Sequence, residues 1–285
     1  MDKKKNKHVG KELLEFYSEL PFNYPSSPDV SAQDIKSANT LGYYFGAYES
    51  LFIENCSVLE IGCGIGWMAN MVSYYRKASV TAFDFNPKVV GFAEEVAEVL
   101  AASDRSFTKP LFRVADLFKY EAAPYDIVYS IGVLNHKGYF TKGVTKACQL
   151  TRSKGHIILG LYHYHGRAPF LNHFKELEKS GCSEDQLLEE YKRLDPRHQD
   201  ETLAKSWFHD QVQNIYETQH TLEELDKVFS DNNVKVIASS LNSFQSYDKI
   251  EELFKLETAM YDKGMTYLRD GVYFPGFFIT VGEKI

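Results

Sequence analysis

Long apolar runs are missing from this sequence, and that absence excludes an obvious membrane protein. No stretch approaches the roughly 18–20 apolar residues that a membrane-spanning helix needs. The basic residues 1–11 lack the apolar core of a signal peptide and are predicted to form a solvated tail. We therefore expect no membrane partner and a cytoplasmic location.

Cysteine is scarce, and its four copies are not spaced like a metal site. None of them forms a C-x-x-C pair or has a histidine at zinc-finger spacing. We expect no bound metal and four reduced thiols, at Cys56, Cys63, Cys148 and Cys182.

Excess positive charge is also lacking, because the net charge is −7 at pH 7. An acidic balance disfavours a protein that binds nucleic acid by overall attraction, although it leaves a local basic groove open. Aromatic residues are plentiful instead, with 19 Tyr and 20 Phe. That surplus suits a pocket for an organic ligand.

Short apolar runs alternate with amphipathic stretches from Ser57 onward, without internal repeats. This rhythm predicts an α/β fold with a doubly wound, mostly parallel, seven-stranded sheet. The predicted helices cover 67–76, 87–101 and 141–152. The predicted strands cover 57–61, 79–83, 111–115, 125–130, 156–162, 234–238 and 273–281.

Two segments depart from the alternation. Residues 1–54 carry the tail and an aromatic, proline-broken helical stretch, which we interpret as a lid over a ligand or as core packing. Residues 163–219 are polar, with a capping box at Ser183, and are predicted to form a helical cap inserted after the fifth strand. The rest of the chain then forms the sheet domain in two parts. Residues 55–162 are the cofactor-binding half, and residues 220–285 are the C-terminal part, near whose start Thr221 begins a second capping box.

A glycine-rich turn follows the first predicted strand, in the sequence from Glu60 to Gly66. Glycines at alternate positions allow a tight turn and let a ligand approach the backbone. The helix after the turn directs its N-terminal amides at the same place, which suits a carboxylate or phosphate.

Acidic residues end the next two predicted strands. Asp84 follows the second strand and is placed to accept both hydroxyls of a ribose. Asp116 follows the third strand and, with the apolar Leu117 beside it, suits an adenine ring. Because carboxyl ends of parallel strands meet at one edge of a sheet, these acids and the glycine turn are expected to form one site.

With this glycine turn and these acids, the sequence resembles the class I S-adenosylmethionine-dependent methyltransferases, over about 57–162 and 220–285. The resemblance implies an antiparallel last strand, S-adenosylmethionine as cofactor and S-adenosylhomocysteine as product. It also implies that the glycine turn holds the methionine part and that 130–136 line the methyl-transfer site. The cofactor-binding residues so implied are Glu60, Gly62, Cys63, Gly64, Asp84, Phe85, Asp116, Leu117, Ser130 and Ile131.

A dinucleotide-dependent dehydrogenase is the nearest rival within this fold. Its fingerprint is G-x-G-x-x-G, whereas Gly66 stands one position early and Trp67 occupies the place of the third glycine. The sequence therefore disfavours NAD.

The acceptor side is less defined. His136, after the fourth strand, is the leading candidate for a base. The alternative is that His136 only forms hydrogen bonds with the loop or the cofactor. The stretch after the fifth strand either binds an anionic acceptor or forms a surface turn. Asp210 and His220 are predicted to pair, orienting a ligand or fixing the cap. Catalytic candidates are His136, His163 and His165; acceptor-binding candidates are Tyr17, Asn135, Tyr164, Arg167 and Trp207.

These features predict methyl transfer to oxygen or nitrogen of a small polar organic acceptor. The loop after the fourth strand lacks the N/D-P-P-Y motif of the similar amino-methylating DNA and glutamine enzymes. A tRNA or protein methyltransferase of the same fold stays open, as does a non-catalytic cofactor-binding regulator. A homodimer formed through the cap is also left open.

Overall fold

Seven strands form one sheet in the part of the chain that the computed structural model describes, namely residues 12–136, 138–197 and 200–285. The predicted tail, residues 1–11, lies outside the described residues. The strands are β1 (Ser57–Ile61), β2 (Ser79–Asp84), β3 (Leu111–Val114), β4 (Tyr125–Ile131), β5 (Thr151–Tyr162), β6 (Val234–Ser239) and β7 (Phe277–Lys284).

The strand order across the sheet is β3-β2-β1-β4-β5-β7-β6. Neighbours from β3 to β5 pair in parallel, whereas β7 is antiparallel to both β5 and β6. The predicted mixed sheet with an antiparallel last strand is confirmed. The order reverses at β1, with β2 on one side and β4 on the other, and such a switch point opens a crevice at the carboxyl ends of the strands.

Helices pack on both faces of the sheet because adjacent strand residues point to opposite sides. In β1, Val58 joins one buried apolar cluster and Leu59 joins the other. No helix of the described residues is both long enough and apolar enough to span a bilayer. The helices are α1 (12–19), α2 (Pro28–Ser37), α3 (Leu41–Phe45), α4 (Trp67–Arg76), α5 (Pro87–Ser103), α6 (Phe140–Leu150), α7 (Tyr164–Lys179), α8 (Glu184–Leu194), α9 (Glu201–Val212), α10 (Leu222–Ser230), α11 (Glu251–Glu257) and α12 (Ala259–Arg269).

Local sequence signals account for several helix starts. Asn86 caps α5 by accepting a hydrogen bond from the Lys88 N–H, and proline occupies the first position of that helix. Ser183 and Thr221 both form complete capping boxes, at the starts of α8 and α10, as predicted.

The N-terminal segment combines the two roles considered for it. Ile35, Leu41, Phe45 and Phe52 are fully buried in the core cluster that also contains α4 and α5. Residues 12–24, here named the lid segment, instead reach the crevice at the strand ends. Tyr24, at the end of the lid segment, also packs against that core cluster.

The cap, residues 163–219, has an apolar cluster of its own. Side chains from α7, α8 and α9 meet there, and Tyr273 from the main body completes the cluster. Its first helix, α7, packs along α12. A helical cap after the fifth strand is confirmed, while the chain divisions at 54, 162 and 219 stay a prediction.

Two strands begin at residues other than those predicted, and several strand ends differ by one to three residues. β5 begins at Thr151 rather than His156, because Thr151 already pairs with Tyr125 across an irregularity in the β4–β5 ladder. β7 begins at Phe277 rather than Tyr273, because Gly276 adopts φ +61° and its carbonyl accepts the His163 N–H.

Candidate active site

The turn between β1 and α4 exposes backbone that a ligand can approach. Gly62, Gly64 and Gly66 all have positive φ, a region that residues with a side chain rarely adopt. A Cβ on Gly62 would lie 2.5 Å from Val133, so that glycine is needed for close packing. A Cβ on Gly64 would meet nothing within 4 Å, so this residue faces open space.

Asp84, at the end of β2, turns its carboxylate onto this loop. One oxygen accepts the Gly64 N–H at 3.0 Å, and the other accepts the Asn86 N–H at 2.9 Å. A carboxylate offers about four acceptor positions, so both oxygens keep capacity for a ligand. Burial raises the pKa of Asp84, while its backbone N–H donors act in the opposite direction.

Glu60 is buried beside the same loop. Its carboxyl accepts a hydrogen bond from the Tyr129 hydroxyl at 3.1 Å. Burial raises the pKa of Glu60 to about 8, and the nearby Asp84 adds to the rise. The carboxyl is therefore protonated at neutral pH in the ligand-free protein, and a bound cation would favour its ionised form.

A cavity of about 670 Å³ extends from this loop to the lid segment and the cap. Its volume lies within the range of about 300–1,000 Å³ typical of small-ligand sites. The loop and sheet edge contribute Glu60, Gly62, Cys63, Gly64, Asp84, Phe85, Ile131 and His136, the lid segment contributes Tyr17, Phe22 and Asn23, and the cap contributes Arg197, Asp200, Leu203, Trp207 and Asp210.

Three predicted cofactor residues do not line this cavity. Asp116 is exposed and caps the short turn Leu117–Lys119 by accepting the Phe118 N–H. Leu117 packs on the core cluster between α6 and the sheet. Ser130 is buried, and its hydroxyl donates to the carbonyl of Ile61, which holds β4 against β1.

His136 reaches the cavity, as its position after β4 indicated. Its ring lies 5.8 Å from that of Tyr17, and its Nδ1 is buried without a hydrogen-bond partner. Burial lowers the pKa of His136 to about 4, so the imidazole is neutral at pH 7. The preceding Asn135 lies outside the cavity, where its carbonyl accepts both the N–H and the hydroxyl of Thr218.

The residues after β5 point elsewhere. His163 is completely buried; its Nδ1 accepts the Gly166 N–H, and its Nε2 lies 2.8 Å from a carboxyl oxygen of Glu257. Tyr164 is 58% exposed, and His165 packs beside it. Neither they nor His163 line the cavity in the described structure. Their geometry supports a structural role, which joins the cap to α11.

Arg167 is also buried behind the cavity wall rather than on it. Its guanidinium forms two bonds of 3.0 Å to the carboxylate of Glu217 and donates to the carbonyl of Gln211. It stacks over the ring of Tyr162 at 4.4 Å. The positive charge is thus already compensated, and this arrangement does not support binding of an anionic acceptor.

The lid segment and the cap meet over the cavity. The indole N–H of Trp207 donates to the side chain of Asn23 at 3.1 Å. The hydroxyl of Tyr17 donates to Asp210 at 2.6 Å, and the carbonyl of Tyr17 accepts the side-chain N–H of Asn86 at 3.3 Å. Tyr17 therefore links the cap to the start of α5.

The predicted pairing of Asp210 with His220 is wrong. Asp210 bonds Tyr17 and the side chain of Gln211, whereas His220 bonds Thr218 and Glu224. Tyr162 begins the polar stretch that the sequence grouped as acceptor-binding or as a surface turn, and it lines the cavity. It is the last residue of β5.

No cluster of metal-binding side chains is found in the described structure. Among residues 12–136, 138–197 and 200–285, no three His, Cys, Asp or Glu side chains gather where they could hold an ion. The four cysteines are free thiols.

Comparison with known proteins gives a family and a fold. A family model described as "Methyltransferase domain" matches residues 53–218. The magnesium protoporphyrin IX methyltransferase of Synechocystis PCC 6803, solved with bound S-adenosylhomocysteine, superposes with a TM-score of 0.51 at 17% identity over 90% of this chain and 84% of that one. PKMT2 from Rickettsia typhi superposes with a TM-score of 0.53 at 15% identity, over 92% of this chain and 54% of that one. No curated protein matches the chain.

The family match spans more than half of the chain and contains the glycine turn, Asp84 and His136. The sheet order and its antiparallel β7 agree with the class I fold. The chain therefore belongs to the methyltransferase domain family, and it is a class I methyltransferase that depends on S-adenosylmethionine.

Proposed function

We propose that the enzyme transfers a methyl group to oxygen or nitrogen of a small polar organic acceptor, bound between the lid segment and the cap. The observation that carries this proposal is one cavity that joins Gly64 and Asp84 to a polar and aromatic wall. S-adenosylmethionine, when bound, supplies a methyl group on a sulfonium that is already a good leaving group. The protein then has to align the acceptor, exclude water and remove a proton.

The cofactor is proposed to lie along the glycine turn. The open space at Gly64 supports a place for its methionine part, and the spare acceptor positions of Asp84 support bonds to ribose hydroxyls. Glu60 would become ionised beside a cationic ligand, because opposite charge favours a carboxylate. Asp116 and Leu117 stay predicted adenine contacts, at the end of β3.

The acceptor is proposed to lie against Tyr17, His136 and Trp207. Those side chains line the cavity on the side formed by the lid segment, the loop after β4 and the cap. The ring of Trp207 packs on that of Phe22 at 4.6 Å, which supports an aromatic wall beside the acceptor. Asn135, His163, His165, Tyr164 and Arg167 would then support this wall from outside.

A macromolecular acceptor is less favoured by the same geometry. The lid segment and cap are bonded to each other across the cavity by Tyr17–Asp210 and Asn23–Trp207. A tRNA base or protein side chain would have to pass these contacts, whereas a small molecule fits within the cavity volume of about 670 Å³.

Formation of S-adenosylhomocysteine tests the proposal. Labelled S-adenosylmethionine would be incubated with the enzyme and pooled small metabolites, with total tRNA as a separate arm and a no-acceptor control. We expect acceptor-dependent product with a small-molecule pool. Product with tRNA alone would favour the macromolecular alternative, and cofactor binding without product in either arm would favour a non-catalytic regulator.

A further inference from the structure

The charges around the cavity are strongly one-sided. Among the described residues that line it, the one cation is Arg197, and its guanidinium is bonded to Asp195 at 2.6 and 2.7 Å. The buried Arg167 is held by Glu217 and does not line the cavity. The lining acids are Asp34, Glu60, Asp84, Asp200 and Asp210, of which Glu60 is protonated in the ligand-free protein.

These acids divide by position. Glu60 and Asp84 flank the glycine turn, where the cationic cofactor is proposed to bind. Asp34 and Asp200 are exposed. Asp210 is the buried acid that the cap contributes, and the cofactor motif does not account for it.

The surroundings of Asp210 fix its carboxylate but do not neutralise it. Tyr17 donates to one oxygen at 2.6 Å and Gln211 donates to the other at 2.7 Å, and both donors are uncharged. Gln211 also donates to the hydroxyl of Tyr162 at 2.6 Å. The carboxylate is therefore positioned from two sides and keeps acceptor positions for a third donor.

Aromatic rings accompany this carboxylate on the cavity wall. Tyr17, Phe22, Tyr162 and Trp207 all line the same cavity as Asp210. A cation next to a carboxylate and within reach of aromatic faces gains from both, through a charge-assisted hydrogen bond and through cation–π attraction.

We propose that the acceptor is a protonated amine, that its ammonium group binds Asp210 among these rings, and that Asp210 removes the proton before nitrogen is methylated. This inference rests on the proposed function, which left oxygen and nitrogen open, and it selects nitrogen as the methylated atom. Asp210 would be a catalytic residue in contact with the acceptor, and His136 a neutral residue of the same wall.

The proton and electron balance is complete without another reactant. The ammonium R–NH₃⁺ gives one proton to the Asp210 carboxylate and becomes R–NH₂. Its lone pair forms the N–CH₃ bond as the C–S bond breaks, and that electron pair stays on sulfur. The product leaves as R–NH₂–CH₃⁺, and Asp210 releases its proton to solvent.

The acid strength of Asp210 agrees with this role. Burial raises the pKa of Asp210 to about 6, near the value that suits a general base at neutral pH. The groups that face it from other elements are Tyr17 on α1, Arg167 on α7, Glu217 after α9 and Tyr162 on β5. Glu217 raises the pKa, whereas the hydrogen bonds from Tyr17 and Gln211 and the charge of Arg167 lower it.

Three probes with the same ring test the site by calorimetry on enzyme saturated with S-adenosylhomocysteine: benzylamine, benzyl alcohol and benzoate. We expect benzylamine to bind at least about tenfold more tightly than benzyl alcohol, since hydrogen bonds to charged groups are the stronger ones. Benzoate should show no saturable binding. Equal or tighter binding of the alcohol or of benzoate, or no binding of benzylamine, would overturn the inference without any variant.

Asp210→Asn sharpens this test. It should weaken benzylamine binding by about 10- to 150-fold, which corresponds to a loss of roughly 1.5–3 kcal/mol. Binding of benzyl alcohol and S-adenosylhomocysteine should change by less than about threefold, which also shows that the variant is folded. Asp262→Asn, at an exposed acid on α12, is the matched control and should bind all ligands as the wild type does. Unchanged benzylamine affinity in folded Asp210→Asn would contradict the proposal.

Turnover separates this inference from the proposed function. With matched pools of primary amines, alcohols and acids, product should form with amines, and Asp210→Asn should reduce its rate by about 10²- to 10⁴-fold. Product from alcohols alone would overturn the amine assignment and leave small-molecule methylation intact. Absence of product from every pool would contradict the proposed function, while benzylamine binding would still report on Asp210.

Discussion

The carboxylate of Asp84 accepts hydrogen bonds within the protein and is predicted to accept further ones from the ligand. It accepts two backbone N–H groups, from Gly64 and Asn86, and is the proposed partner of the ribose hydroxyls. Hydrogen bonds to charged groups contribute roughly 1.5–3 kcal/mol each. We therefore expect Asp84→Ala to bind S-adenosylhomocysteine about 10- to 150-fold more weakly in a calorimetric titration.

Asp262→Asn again serves as the control and should bind the product normally. Unchanged affinity in folded Asp84→Ala would show that the ribose is held by other groups.

His136 should affect turnover modestly. Its buried imidazole is neutral, because burial lowers its pKa to about 4, and its Nδ1 is available for one neutral hydrogen bond. A bond of that kind contributes roughly 0.5–1.5 kcal/mol. His136→Ala should therefore lower kcat by about tenfold or less, with the dissociation constant for S-adenosylhomocysteine within about tenfold of wild type.

Steady-state kinetics with the identified acceptor provide the measurement. A fall of about 10²- to 10⁴-fold in kcat would instead make His136 the base and displace Asp210 from that role.

Among the structural elements, the lid segment is joined to the start of α5 by the side-chain amide of Asn86. Asn86 caps α5 through its oxygen and donates from its nitrogen to the carbonyl of Tyr17. Asn86→Ser keeps a good capping residue but loses that donor. We expect the unfolding free energy to change by less than about 1 kcal/mol. Proteolysis within 12–24, with S-adenosylhomocysteine present, should become about fivefold faster, because a bond of about 1 kcal/mol is lost.

Asn39→Ser is the matched comparison, since exposed Asn39 makes a similar bond to the Leu41 N–H outside the lid segment. Equal cleavage of all three proteins would mean that Asn86 does not hold the lid segment.

The elements that hold the cofactor motif were predictable because their signals are local. Gly62 and Gly64 predict a turn with positive φ, and Asp84 is the last residue of a largely buried strand. The contact between Tyr17 and Asp210 joins residues 193 positions apart, and no periodicity encodes it.

The segment after β5 shows a second limit of prediction from the sequence. The prediction treated its polar residues as one group at the sheet edge. Tyr164 is exposed and Arg167 is completely buried, although residues three apart lie on the same face of a helix. Glu217, 50 positions away in the sequence, compensates the charge of Arg167, and a partner so distant leaves no local signal.

For the molecule as a whole, Glu60 makes the stability of the ligand-free enzyme depend on pH. The folded-state pKa of about 8 exceeds the ordinary value of about 4.5, so the folded protein binds more protons than the unfolded chain between those pH values. This contribution is fully present below pH 4.5 and is lost as the pH rises to 8. Glu60→Gln removes the effect and keeps an acceptor for Tyr129.

We expect ligand-free Glu60→Gln to be more stable than the wild type by on the order of 2–4 kcal/mol at pH 8, and by much less at pH 5. Denaturant unfolding at both pH values measures this difference. Asp210 contributes in the same direction and His136 in the opposite one, but both are present in the two proteins and cancel. A difference between the proteins that does not change with pH would refute the protonated Glu60.

The place of β7 has a consequence for how the chain is made. β7 follows β6 in sequence but lies between β5 and β6, pairing His156 with Glu283 and Val236 with Gly282. During synthesis β5 therefore presents an open edge, and β6 has no neighbour, until residues 277–284 have left the ribosome. Exposed strand edges are templates for pairing with other chains. The nascent species most prone to aggregate is thus the one that has nearly all of its sheet and still lacks the antiparallel strand between β5 and β6.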